Sequence, residues 1–363
     1  MILNLARAQQ RRGARIKLIS CDARDPEVQA SVNAMLEGVE PIELRPRWLR
    51  PLFSRGHIDR ALEGVTAVHL HSIWPTPNLF VAHRCLQRGI PYVLSVHGHL
   101  RREALEIKPL KKRVGLALGY RAMLRGASGL HALTESERAD IRAFGLTAPS
   151  VVIPNGIELP EAELPPDRAA FTSQLPQLGD APYLLFLSRI HPPKGALQLA
   201  QAFVALSEEY PQLHLVVAGP DFGGVEEVVG ELTSAGLRSR LHLPGFLAGD
   251  AKYAALAHAE AFCLPSHHEG FSVAVLEALS WGAPTVISSG CHFPELSSEG
   301  AGWVHSIGAA PLLQTLREVL GSPEQTRARA AFGQRWVRAR FQWSALERLF
   351  HQWYKERCSG GSR

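Results

Sequence analysis

The sequence predicts an α/β protein of two doubly wound domains, and three observations carry that prediction. Short apolar runs of strand length alternate with helical stretches along the chain, the pattern of parallel sheets flanked by helices. The chain has 363 residues, long for one core and comfortable for two domains. A proline-rich, acidic stretch separates two such alternating halves, as an inter-domain connection would.

The first half, residues 1–160, opens on Leu3-Asn4-Leu5-Ala6-Arg7-Ala8, read as a helix. Buried strands are expected at 16–20, 67–71, 92–96 and 129–133, and the segment 151–156 closes this half. A helix is expected over 108–125, and Thr134-Glu135-Ser136-Glu137 has capping-box spacing at the start of another. Residues 161–182 are the expected linker. The second half, 183–325, restarts with a strand at 183–187 and continues through strands at 213–219, 241–244 and 261–265. Ser272 is a natural N-cap for the helix that follows, Gly282 a natural stop with Pro284 just beyond, and a further strand starts at Thr285. Residues 326–363 are expected as helices that carry Trp336, Phe341, Trp343, Phe350, Trp353 and Tyr354, read as an anchoring core stripe.

Composition narrows the class. Hydrophobic residues at 46% with 20% charged residues are ordinary for a soluble globular protein. Cys21, Cys85, Cys263, Cys291 and Cys358 are scattered and show no CxxC or His-rich metal spacing, so reduced thiols are expected. No apolar run approaches the roughly 20 residues of a membrane span, and the start is charged too soon for a signal peptide. A cytoplasmic protein is expected. The net charge of +5 permits an anionic partner. The excess gathers in Arg45-Pro46-Arg47-Trp48-Leu49-Arg50-Pro51-Leu52-Phe53-Ser54-Arg55 and at Lys108, Lys111, Lys112, Arg113, Arg121 and Arg125. No helix-turn-helix, zinc-finger or RNA-binding signature accompanies it, which argues against nucleic acid. An anionic membrane surface or a lipid-phosphate acceptor fits better, with a solvated basic helix face as the plain alternative.

The most informative stretch runs from His267-His268-Glu269-Gly270-Phe271-Ser272 into the helix that carries Glu277. A glycine-containing turn that opens a helix leaves free N–H groups at the positive end of the helix dipole, an anion site. Glu269 and Glu277 flank it. Carboxylates repel phosphate, so their partners are neutral hydroxyls on either side of it. A ligand with hydroxyls, phosphates and hydroxyls in that order is a sugar nucleotide. Ser188-Arg189-Ile190-His191-Pro192-Pro193-Lys194-Gly195 follows the first strand of the second half, and its Arg189 and Lys194 suit a diphosphate. Gly219-Pro220-Asp221-Phe222-Gly223-Gly224 lacks G-x-G-x-x-G spacing and reads as an ordinary strand-end loop.

The string from Glu269 to Glu277 resembles the donor-binding signature of family 4 retaining glycosyltransferases, in which two glutamates flank seven residues. The turn with Arg189 and Lys194 is similar to that family's R-x-x-x-x-K-G turn. Ser95-Val96-His97-Gly98-His99-Leu100 resembles its H-G segment, with His97 as the match and His99 and His71 as lesser candidates. The resemblance implies a GT-B fold: two Rossmann-like domains facing a cleft, with a C-terminal helix crossing back to the first. It implies retaining hexosyl transfer from a nucleotide-diphosphate sugar to a glycan or lipid-linked acceptor, in bacterial surface polysaccharide or lipopolysaccharide assembly. Arg189 and Lys194 would stabilise the leaving diphosphate with the turn at Gly270, Phe271 and Ser272. Glu269 would orient the sugar hydroxyls, Glu277 would hold the ribose, and His97 would contact the donor sugar. Phe246, in Pro244-Gly245-Phe246-Leu247, lies where the family reads the nucleobase. No Asp-x-Asp stands at a strand end, so no metal or cofactor is expected. Family members begin with a strand and a glycine-rich loop before a helix like Leu3-Asn4-Leu5-Ala6, so the first domain is read as truncated. Two other readings remain open: a non-catalytic sugar-nucleotide-binding or scaffold protein, and a GT-B sugar-nucleotide epimerase.

Overall fold

Parallel strands can be joined only by crossover connections, and the helices between the apolar runs supply them. The computed structural model describes residues 1–20, 25–39, 41–43, 55–159 and 164–358. It divides the chain into two units, one of residues 1–156 with 343–363 and one of residues 157–342. Cys21 and the basic segment 45–54 lie outside the described residues.

In the first unit, strands β1 (Ile19–Ser20) and β2 (Ile42–Glu43) form a parallel pair of their own. Strands β3 (Val68–His71), β4 (Tyr92–Ser95), β5 (Gly129–Ala132) and β6 (Ser150–Val152) form a parallel sheet in that order. Every residue of β4 and β5 is buried, Ser95 and His131 included, so neither strand shows the in-out alternation of a one-sided sheet. The strand expected over 16–20 is shorter because β2 offers it a partner for two residues. The helix expected over 108–125 is broken: Pro109–Gly115 and Arg121–Gly126 flank a π-turn, Leu116–Tyr120, in which Gly119 adopts φ 130°. The helix Trp343–Cys358 lays Trp343, Phe350 and Trp353 against Leu5, Val93 and Ile153.

The second unit holds β7 (Tyr183–Leu187), β8 (His214–Ala218), β9 (Leu241–Gly245), β10 (Ala261–Leu264), β11 (Thr285–Ser288) and β12 (Trp303–His305). All are parallel, in the order β9-β8-β7-β10-β11-β12. Numbered within the unit this is the doubly wound order, and it reverses between β7 and β10. β12, three residues long, is too brief to declare itself in the sequence.

Two boundaries differ from expectation. The stretch read as a linker builds into the second unit: Phe171, Leu175 and Leu178 are buried in its core, and the Phe171 ring stands 5.6 Å from that of Tyr183. Proline and acid dominate its composition, but three inward apolar side chains decide its place. The tail is likewise divided. Pro323–Arg340 stays with the second unit, where Trp336 and Phe341 pack on Phe293, and only Trp343–Cys358 joins the first.

Phe350 is fully buried against Trp353 and His131, so Phe350→Ala opens a cavity under the first sheet. The expected loss is about 3–5 kcal/mol in the urea transition that unfolds the first unit. An unchanged midpoint would contradict the packing described.

Candidate functional site

Ligands of doubly wound sheets collect outside the carboxyl ends of the strands where the order reverses. In the second unit that point lies between the turn after β7 and the turn after β10. These turns touch closely. A Cβ on Gly195 would come within 2.1 Å of the Pro265 carbonyl oxygen, and the turn after β11 is as close: a Cβ on its Gly290 would come within 2.4 Å of the Ser266 carbonyl oxygen. The backbone is laced at the same place: His267 N–H donates to Pro193 O at 2.8 Å, and Glu269 N–H to Gly290 O at 2.9 Å. Ser266 Oγ adds bonds to Pro193 O and His268 O, both 3.1 Å.

On that frame Lys194 Nζ stands 2.5 Å from Glu269 Oε1, a charge-assisted bond between two largely buried side chains 75 residues apart in sequence. Glu277, one face of a helix turn further on, accepts from Lys252 Nζ at 2.8 Å. Lys252 also stands 4.9 Å over the Tyr253 ring, and Tyr253 tilts against Trp281. Sequence reasoning missed Lys252, since no local spacing ties residue 252 to 277. Arg189 is exposed and lies over the Phe222 ring at 5.7 Å. Phe222 sits in the loop after β8, whose Asp221 carboxylate takes the N–H groups of Gly223, Gly224 and Val225, so that loop caps its own helix.

The side chains around this turn differ in where they stand. The Phe271 side chain packs on Phe293 and Phe341, with ring centroids 5.0 and 6.0 Å away, so its ring belongs to the core. Ser272 occupies the N-cap of the helix Val273–Ser280, but its hydroxyl makes no capping bond. Gly282, at φ 75°, ends that helix as expected. Phe246 is highly exposed beyond β9. Gly270 has open space where a Cβ would stand and no positive φ, so neither packing nor backbone conformation requires a glycine there.

In the first unit the carboxyl ends of β3, β4 and β5 carry a buried polar cluster. His131 Nε2 reaches Ile153 O at 2.7 Å, and its Nδ1 lies 2.6 Å from Ser95 Oγ. Ser95 Oγ is 2.7 Å from His69 Nε2, and His69 Nδ1 is 2.7 Å from the Tyr354 hydroxyl. His71 Nδ1 stands 3.2 Å from His97 Nε2, with the two rings stacked. His99 Nδ1 accepts from the Ile73 N–H at 3.4 Å, a structural tie between two turns. Burial drives these imidazoles toward their neutral forms: His97 to about 4, His131 to about 3, and His69 and His71 well below the ordinary histidine range.

Among the described residues no group of three or more His, Cys, Asp and Glu is arranged to hold a metal ion, and no helix is long and apolar enough to cross a membrane. Two parallel-sheet units of this kind define the GT-B architecture of glycosyltransferases. Residues 167–336 match the Glycosyl transferases group 1 family model and residues 1–156 the Glycosyl transferase 4-like domain. The chain belongs to this glycosyltransferase family. A D-inositol 3-phosphate glycosyltransferase of Xylanimonas cellulosilytica is 27% identical, covering 94% of this chain and 87% of its own. That of Actinosynnema mirum is also 27% identical, but the match spans 66% of this chain and 63% of the relative, less than two thirds of its length. A 2-deoxystreptamine glucosyltransferase of Streptomyces kanamyceticus is 28% identical, over 83% of this chain and 76% of its own. Among solved structures, Anabaena Alr3699/HepE in complex with UDP and glucose superposes with a TM-score of 0.76 at 20% identity, covering 98% of this chain and 95% of that one.

The histidine cluster makes a prediction about pH. Each of the four is held neutral when folded, so unfolding takes up protons once the pH falls below the ordinary histidine range. Stability of the first unit is then full above about pH 6.5 and falls as the pH drops toward 4, by up to ~1.4 kcal/mol per pH unit for each histidine. Urea denaturation at about pH 7.5 and about pH 5 reads this directly, and equal midpoints would contradict it.

Proposed function

We propose that this protein transfers a sugar from a nucleotide-diphosphate sugar to a glycan or lipid-linked acceptor, with the donor held at the switch point of the second unit. The observation that carries the reading is the Lys194–Glu269 bond, where the turns after β7 and β10 meet. An ammonium and a carboxylate there match a ligand that presents phosphate beside hydroxyls. Lys194 and the exposed Arg189 serve the leaving diphosphate, together with the helix N-terminus after Gly270, Phe271 and Ser272. The open space at Gly270 supports that role, since a glycine required by neither packing nor φ suits close approach of a ligand. Glu269 orients the sugar hydroxyls, Glu277 the ribose, and the Gly245–Phe246 backbone the base. His97 contacts the donor sugar, as the family resemblance implies.

In the reaction the bond between the anomeric carbon and the diphosphate oxygen breaks. The bonding pair leaves with the diphosphate, a bond to the acceptor oxygen forms, and the acceptor's proton passes to the departing diphosphate. Charge on the leaving group is met by Lys194 and Arg189, so no divalent metal is required. Retention at the anomeric carbon and a place in surface polysaccharide or lipopolysaccharide assembly follow from the resemblance, and a cytoplasmic location from the scattered cysteines.

Contact with an anionic membrane on the acceptor side belongs to the same reading. Ile107, Leu110, Val114 and Leu118 are 64, 74, 50 and 74% exposed; Leu110 and Val114 lie four apart on the helix Pro109–Gly115, Leu118 in the π-turn that follows it, and Ile107 in the extended link before it. Lys108, Lys111, Arg113 and Arg121 stand exposed around them. An apolar stripe framed by cations is the pattern of an interfacial segment.

Two experiments test the reading. A panel of UDP-, GDP- and ADP-sugars, followed by nucleotide release in the presence of EDTA, is expected to give turnover with at least one donor. Glu269→Gln and Lys194→Ala abolish it while the circular dichroism spectrum is kept. Wild-type turnover in either variant would sink the assignment. Co-sedimentation with phosphatidylglycerol vesicles is expected to capture the wild type and release Leu110→Glu and Leu118→Glu, both fully folded because the positions are exposed. Equal binding by the variants would remove the membrane surface from the account.

A further inference from the structure

β4 runs into a turn in which two successive residues have left-handed backbone, His97 at φ 50° and Gly98 at φ 73°. Glycine enters that region freely, whereas a histidine does so at a cost and only where its surroundings over-determine it. The turn is closed by the His99 N–H on Val96 O at 3.2 Å, and one carboxylate grips it from outside. Glu137 Oε1 accepts the N–H of Gly98, and Oε2 accepts the N–H of Leu133 at 2.5 Å.

Glu137 is the third residue of the helix Glu135–Ala143, whose N-cap Thr134 accepts the Glu137 N–H at 3.1 Å. In a capping box the glutamate reaches back to the N-cap's own amide. This one bonds the residue before the cap with one oxygen and a turn 39 residues away with the other. It is 2% exposed, and burying a carboxylate is unfavourable unless its oxygens are hydrogen-bonded. Burial raises its pKa, while the two amide bonds and the nearby Arg101 charge act to lower it. Arg101 N–H closes the same turn by donating to Gly98 O at 3.3 Å. The His97 ring then stacks on His71, so the backbone angle at 97 decides where the imidazole stands.

We propose that Glu137 is a positioning residue for His97: by anchoring the Gly98 amide it fixes the left-handed backbone and aims the imidazole. The proposal rests on the reading of His97 as a donor-sugar contact, and its test has an arm that does not.

Glu137→Gln keeps the side chain's shape and one acceptor oxygen but turns an amide NH2 toward an N–H. In that variant the Gly98 amide is expected to exchange at least about tenfold faster by NMR, and the His97 ring resonances to shift. With a working donor, kcat is expected to fall about tenfold or more while KM for the donor stays within about twofold. Thr134→Ala is the control, because it removes the cap of the same helix without touching the Gly98 bond. It should lower the melting temperature and leave kcat and the His97 resonances as they are. Unchanged Gly98 exchange and His97 resonances in Glu137→Gln would overturn the proposal, as would an equal loss of kcat in Thr134→Ala. If the wild type turns over no donor, the transferase reading fails, and Gly98 exchange with the His97 resonances still decides whether Glu137 sets the turn.

Discussion

The second unit depends on how closely two backbones can pass. β7 and β10 lie side by side where the strand order reverses, and the turns that leave them must share one small region. Gly195 makes this possible, since any larger residue there would drive a Cβ into the Pro265 carbonyl, and Gly290 plays the same part for the turn after β11 against Ser266. With the turns in contact, Lys194 and Glu269 meet across 75 residues of sequence, and hydrogen bonds from His267, Ser266 and Glu269 fix their relative height. The fold thus sets a cation and a carboxylate together at the end of the sheet where a doubly wound fold receives its ligand.

The first unit solves a different problem. Its strand ends carry His69, His71, His97 and His131 in a buried cluster, where a charged imidazole is unfavourable. Hydrogen bonds through Ser95, Tyr354 and the Ile153 carbonyl engage both ring nitrogens of His69 and both of His131 without a carboxylate. Neutral rings can stack, as His69 does on His71 and His71 on His97. Charge in this region falls instead to Glu137 and Arg101, which act on the backbone of the turn. Where the second unit brings charged side chains together at its strand ends, the first holds neutral rings there.

Much of this was legible in the sequence, and the rest fails for identifiable reasons. β7 was expected at 183–187 and spans Tyr183–Leu187, because a strand buried on both faces is a continuous apolar run bounded by turns. The turn from Glu269 to Gly282 could be read locally, since its cap position, its stop and its two carboxylates are close in sequence. Partners across the chain could not. Lys252 beside Glu277, Phe222 beneath Arg189 and Gly98 on Glu137 are pairings that only the tertiary fold creates. Composition misled where packing decided: residues 164–182 look like a connection yet bury Phe171, and the aromatic tail splits between two cores. Gly119 interrupts a basic run that otherwise reads as one helix.

The central claim is that the switch point of the second unit binds the diphosphate of a nucleotide sugar. A crystal structure with a bound nucleoside diphosphate tests it most directly. The account predicts phosphate oxygens within hydrogen-bond distance of Lys194 and Arg189, beside the Gly270 backbone, with the ribose hydroxyls on Glu277. A diphosphate bound elsewhere, with Lys194 and Glu269 still facing each other undisturbed, would contradict it.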